Sequence, residues 1–105
     1  MLETDRHALE QRVIEVLRTI YDPEIPVNIY DLGLVYDIEV TLDAVVRVRM
    51  TLTSPACPVA GALPEHVHSK IQALEDVRDA EVEIVWDPPW SPERMSEEAR
   101  VQLNI

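Results

Sequence analysis

Thr51-Leu-Thr-Ser-Pro-Ala-Cys57-Pro-Val-Ala-Gly61 holds the single cysteine of the chain, and the rest of the chain is arranged around it. It reads as a strand end, a Pro-bounded turn and the first turn of a helix. Pro58 follows the thiol, and proline is favoured at the first helical position, where its missing N–H is not needed. Cys57 then falls at or near the N-cap, where free N–H groups and the helix dipole favour a thiolate. Two readings stay open: a reactive or metal-binding sulfur, or a small buried apolar side chain.

Working back from this segment, Val45 to Thr53 alternates as a strand. Val46, Val48, Met50 and Leu52 point one way, and Arg47, Arg49, Thr51 and Thr53 the other. Thr51 and Thr53 therefore share a face as the strand reaches Cys57. They read either as hydroxyl donors to a sulfur, ligand or oxyanion, or as ordinary β-formers. Leu34 to Val40 alternates in the same way, and a turn at residues 41–44 closes a hairpin. Before it, residues 22–33 form a long connection with two prolines and the acceptors Asp22, Glu24, Asn28 and Asp31. Loops of this length are often functional, although Asx-type bonds to nearby backbone explain such residues one by one. A first helix, capped by Thr4 or Asp5, carries Leu9, Val13, Val16, Leu17 and Ile20 on one face and stops before Tyr21-Asp-Pro23.

Working forward, a second helix over residues 58–74 places Ala60, Leu63, Val67, Ile71 and Leu74 at helical spacing. Pro64 either kinks it or marks its true start, and in the second case Cys57 loses the dipole. His66 and His68 are two residues apart and form no i, i+4 metal pair, so they read as exposed. Glu81-Val-Glu-Ile-Val-Trp86 is a third strand with Val82, Ile84 and Trp86 inward. If it returns by a helical crossover beside the first strand, it lies parallel to one strand of the pair. Ser91-Pro92 caps a terminal helix striped by Met95, Ala99 and Leu103. Trp90 either lies over a site or anchors this tail.

The expected fold is α+β: one small domain over residues 1–105, in the order helix, strand, strand, helix, strand, helix. The helices pack on one face of a three-stranded mixed sheet. A net charge of −11 with nine Lys and Arg argues against nucleic acid and against an anionic membrane surface. No run is long enough to span a bilayer and the N-terminus lacks a signal pattern, so a cytoplasmic location is expected. One cysteine excludes an internal disulfide and a multi-thiolate metal site within one chain. No phosphate loop, dinucleotide fingerprint or nucleophile motif is present, which argues against an autonomous enzyme.

Four motifs in order, Asp22-Pro-Glu-Ile-Pro, Ile29-Tyr-Asp-Leu-Gly-Leu-Val-Tyr36, Met50-Thr-Leu-Thr-Ser-Pro-Ala-Cys-Pro58 and Trp86-Asp-Pro-Pro-Trp-Ser-Pro92, resemble the SufT and PaaD-like family linked to iron-sulfur assembly. The resemblance implies a small α+β domain that helps mature or deliver iron-sulfur clusters, working with the assembly machinery, including the SUF system, and with client apoproteins. It maps the family's motif positions to Asp22, Glu24, Asp31, Thr51, Thr53 and Cys57. One thiolate is too few for a cluster held by four. The expected ligand is therefore iron or a labile, transient iron-sulfur cluster on Cys57, completed by a second subunit in a homodimer, by loop carboxylates or by a client. The alternative is a metal-free adaptor that recruits clients, among them a subunit of a phenylacetyl-CoA oxygenase-type complex, with Cys57 structural. A thiol enzyme ranks last, since such a site needs a base beside the sulfur and the histidines are only His7, His66 and His68.

Overall fold

The helical spacing of Leu9, Val13 and Leu17 is realised in a first helix, α1 (Glu3–Leu17), whose buried residues are these three. The structure is a computed structural model that describes residues 3–22, 25–53 and 62–104. Thr4 and Asp5 lie inside the first turn of α1 and do not cap it. The helix also ends earlier than the apolar stripe suggests. Thr19 N–H turns to the Val16 carbonyl at 2.9 Å and Ile20 N–H to Leu17 at 3.3 Å, the tightened last turn that uses up orphan carbonyls. Ile20 is nevertheless buried, because Ile29 N–H donates to its carbonyl at 2.8 Å and draws the chain into an extended path.

The hairpin pairs β1 (Val35–Val40) antiparallel with β2 (Val45–Met50), and α2 (Ala62–Gln72) carries the chain over to β3 (Asp79–Ile84). β3 lies beside β2 and parallel to it, not beside β1, so the mixed sheet has the order β1-β2-β3. A bulge between Val35 and Asp37 breaks the alternation expected from Leu34 onward. β2 also stops at Met50, short of the expected Thr53. Pro64 sits in the first turn of α2, where its absent N–H costs no internal bond.

One sheet face carries Val40, Val46, Val48, Met50 and Ala80, which join α1 and α2 residues in a single core cluster. Each large aliphatic side chain buried there contributes about 1.5–3 kcal/mol relative to exposure. The opposite face is polar. Arg47 on β2 bonds Glu39 on β1 at 3.0 Å and Glu81 on β3 at 2.8 Å, and Arg49 lies 3.5 Å from Glu83. The Glu81 bond, then the Glu39 bond, raise the Arg47 guanidinium above its already high pKa, so these rungs keep their cation. Both helices therefore cover one face, as expected for the α+β class.

The tail differs from expectation in detail. Ser91-Pro92 opens only a 3₁₀ turn (Pro92–Arg94), with no side-chain cap bond, and Ser96 caps α3 (Glu97–Leu103) by accepting from Ala99 N–H. Met95 and Ala99 are buried and Leu103 half-buried, the stripe that the spacing predicts. Trp86 leaves the core and is 48% exposed, because β3 ends two residues before it.

Candidate functional site

The acidic connection is ordered by its own side chains. Asp22, only 7% exposed, accepts the Ile25 N–H on Oδ1 at 3.0 Å, while its own N–H donates to Val27 at 3.2 Å. Tyr21 and Asn28 form an isolated antiparallel bridge. Asn28 clasps Asp31 in both directions: Asp31 N–H donates to Oδ1 at 2.9 Å, and Nδ2 donates to the Asp31 carboxylate at 2.8 Å. The bonding to nearby backbone N–H groups expected of turn residues is thus present for Asp22 and Asn28, whereas the Asp31 carboxylate is held by side chains. Arg18 sits 4.0 Å from the other Asp31 oxygen and stacks 5.0 Å from the Tyr30 ring centroid.

The C-terminal segment straps this loop down. Trp90 Nε1 donates to the Leu32 carbonyl at 2.8 Å, Ser96 N–H to Asp31 at 2.8 Å and Gln102 to Pro26 at 3.3 Å. Gly33 has φ +85°, and a Cβ there would collide with the Arg94 carbonyl, so only glycine permits the crossing. Tyr36 adds a bond to the Pro88 carbonyl at 2.8 Å and lies under the Arg94 guanidinium at 4.6 Å. Of the two roles open for Trp90, anchoring is the one its bond serves.

The strand end meets the loop at Leu34, whose carbonyl accepts the Thr51 N–H at 2.8 Å while its own N–H donates to Ile29. Thr51 is fully buried, not on the polar face with the half-buried Thr53. Beyond Met50 the strand ceases, and Met50, Thr51 and Leu52 are buried in succession, so the two-residue period no longer applies. The Thr51 hydroxyl is the one buried side-chain polar atom among the described residues that lacks a hydrogen-bond partner. An orphaned hydroxyl of this kind costs about 1–3 kcal/mol and calls for an explanation.

The Thr51 backbone is therefore tied to Leu34, directly after the connection that bears Asp22 and Asp31. Cys57 and Glu24 lie outside the described residues, as does the relation of Cys57 to the start of α2. Among the described residues no three His, Cys, Asp or Glu side chains group to hold a metal ion. His66 and His68 are exposed on α2. No helix of the described residues is long and apolar enough to cross a membrane. Reading the sequence missed Arg18, Gly33 and the clasping role of Asn28. The Asn28-x-x-Asp31 spacing was the available signal for the last; the contacts of Arg18 and Gly33 are set by chain segments far from one another.

The chain resembles several known proteins along most of its length. It is 45% identical to an Fe-S protein maturation auxiliary factor of Porphyromonas gingivalis, over 91% of each chain. It is 38% identical to the Fe-S protein maturation auxiliary factor SufT of Staphylococcus aureus, over 82% of this chain and 98% of that one. Among solved structures, a domain of unknown function from Bacillus anthracis superposes with a TM-score of 0.90 at 37% identity, covering 99% of both chains. The sequence profile described as iron-sulfur cluster assembly protein matches residues 10–84. On this match and these identities, the chain belongs to the iron-sulfur cluster assembly protein family.

Proposed function

We propose that the protein is a non-enzymatic accessory factor in iron-sulfur cluster maturation, and that Cys57 holds iron or a labile cluster in transit to client apoproteins. The observation that carries this reading is the buried, unpartnered Thr51 hydroxyl on the segment that runs into Cys57. A hydroxyl kept dry without a partner suits a site whose partner arrives with the cargo. Relatives named as maturation auxiliary factors and as iron-sulfur cluster carrier proteins support the same class of role. The cluster is cargo here, and the residues assigned to receive it are Cys57 with Thr51, Thr53, Asp22 and Glu24. Asp31 joins them, and both loop aspartates enter with their carboxylates already engaged, Asp22 by the Ile25 N–H and Asp31 by Asn28 and Arg18.

One thiolate leaves a cluster under-ligated. The remaining ligands come from the loop carboxylates, a second copy of the chain or the client, and residues 1–105 act as one cytoplasmic unit in this scheme. Incomplete ligation favours release, which is what delivery requires. Anaerobic reconstitution with ferrous iron and sulfide tests it, read by visible absorption, iron content and native mass. The wild type should take up a cluster and Cys57→Ser should not. Equal iron in both proteins would remove the assignment.

A second reading rests on the loop carboxylates, since Asp22 accepts the Ile25 N–H and Asp31 is held by Asn28 and Arg18 within the loop itself. It makes the protein a metal-free adaptor that brings clients to the machinery, including the oxygenase-type client noted above. In that case Cys57→Ser leaves client binding intact, and no iron is bound by either form.

A further inference from the structure

Gln72, the last residue of α2, turns its side-chain amide onto the outer edge of β3. Its Oε1 accepts the Ala80 N–H at 3.1 Å and its Nε2 donates to the Arg78 carbonyl at 3.4 Å. These are the two bonds that a residue of a neighbouring parallel strand would make around Asp79. One side chain thus fills the first rung of a missing fourth strand. Beyond it the rungs are open. Val85 N–H donates to Met50 at 2.8 Å on the β2 side, so the alternate residues Val82 and Ile84 turn their main-chain groups outward. Among the described residues nothing bonds to those N–H groups on that side.

The two flanks of this edge differ in chemistry. On the helix side lies an open groove of about 370 Å³ lined by Pro64, Glu65, His68, Ser69 and Val82. Trp86, 48% exposed, continues the strand's line past Ile84. On the other flank Glu81 and Glu83, each paired with an arginine of β2, still keep 57% and 66% of their side-chain surface in water and can accept a second cation. We infer that the β3 edge binds an extended segment of a protein partner by strand addition, and that the segment alternates basic with apolar residues. Main-chain bonds to Val82 and Ile84 supply the attachment. Side chains of an added strand alternate, so one set meets the groove and Trp86 while the other meets Glu81 and Glu83. A second copy of this chain is disfavoured as the occupant. Two β3 edges set side by side would oppose Glu81 and Glu83 to their own counterparts, on molecules of charge −11 each. The inference is independent of whether Cys57 binds iron.

The test uses the full chain, labelled with ¹⁵N, and three synthetic peptides of equal length. One alternates Lys and Val, one has the same composition in two blocks, and one alternates Glu and Val. The alternating basic peptide should slow amide exchange at Val82 and Ile84 by at least about tenfold and leave Ala80, already held by Gln72, unchanged. Glu81→Gln with Glu83→Gln should keep the amide spectrum of a folded protein and weaken binding by about tenfold, more at low salt than at high. Equal binding of the block or acidic peptide overturns the inference, as does binding without protection of Val82 and Ile84. So does a native-mass dimer in which those amides are protected before any peptide is added.

Discussion

Replacing Thr51 by valine keeps the shape of the side chain and removes the one orphaned hydroxyl, so the two consequences separate. Stability should rise by about 1 kcal/mol in urea unfolding, because a desolvated group without a partner is lost. Iron uptake in reconstitution should fall, because the hydroxyl faces the cargo in the proposed scheme. Loss of stability instead would mean that the hydroxyl is satisfied in the native protein and has no vacancy to offer. Gly33 carries the opposite kind of constraint. Gly33→Ala forces a left-handed residue to accept a Cβ against the Arg94 carbonyl. It should cost about 3 kcal/mol, read as a lower denaturant midpoint with an unchanged slope.

Among the elements, the two serines of the tail make a paired prediction. Ser96 accepts a bond from Ala99 N–H at 3.1 Å, whereas Ser91 makes no side-chain cap bond. Ser96→Ala should therefore cost about 1 kcal/mol and Ser91→Ala almost nothing, compared by thermal unfolding under one set of conditions. Ser91-Pro92 has the stronger local signature of a helix start, yet the chain uses it for a turn. The position of α3 is set by Ser96 N–H reaching Asp31, a contact between distant segments that no local pattern contains. The same contrast runs through the fold. Leu9, Val13 and Leu17 in α1, and Leu63, Val67 and Ile71 in α2, were legible because a helical period records a single buried face. The bulge in β1, the burial of Thr51 and the exposure of Trp86 depend on where strands end and what lies over them. At the site, the acidic loop and the two threonines could be singled out by motif. That Asp31 is clasped by Asn28, and that Trp90 anchors the loop, are facts of tertiary contact.

At the scale of the whole molecule, twenty acidic side chains against nine basic ones make self-repulsion a standing cost of compactness. The sheet face lowers it locally by placing Arg47 and Arg49 on the middle strand between carboxylates on both neighbours. Raising salt from about 0.01 to 0.15 M shortens the screening length from about 30 to 8 Å. Unfolding midpoints should rise over that range, and Arg47→Met should steepen the rise by leaving Glu39 and Glu81 without their shared cation. A fall in midpoint would show that the cross-strand pairs outweigh the net repulsion. The placement of the two tryptophans has a practical consequence. Trp90 is half-buried with its indole N–H on the Leu32 carbonyl, and Trp86 stands 48% exposed past β3. Intrinsic fluorescence thus carries two separable signals: a red-shifted emission open to acrylamide quenching for the sheet edge, and a shielded, bluer emission for the strapped loop. With Trp86→Phe and Trp90→Phe as single-emitter forms, cargo loading and partner docking can be followed by light in one unlabelled protein.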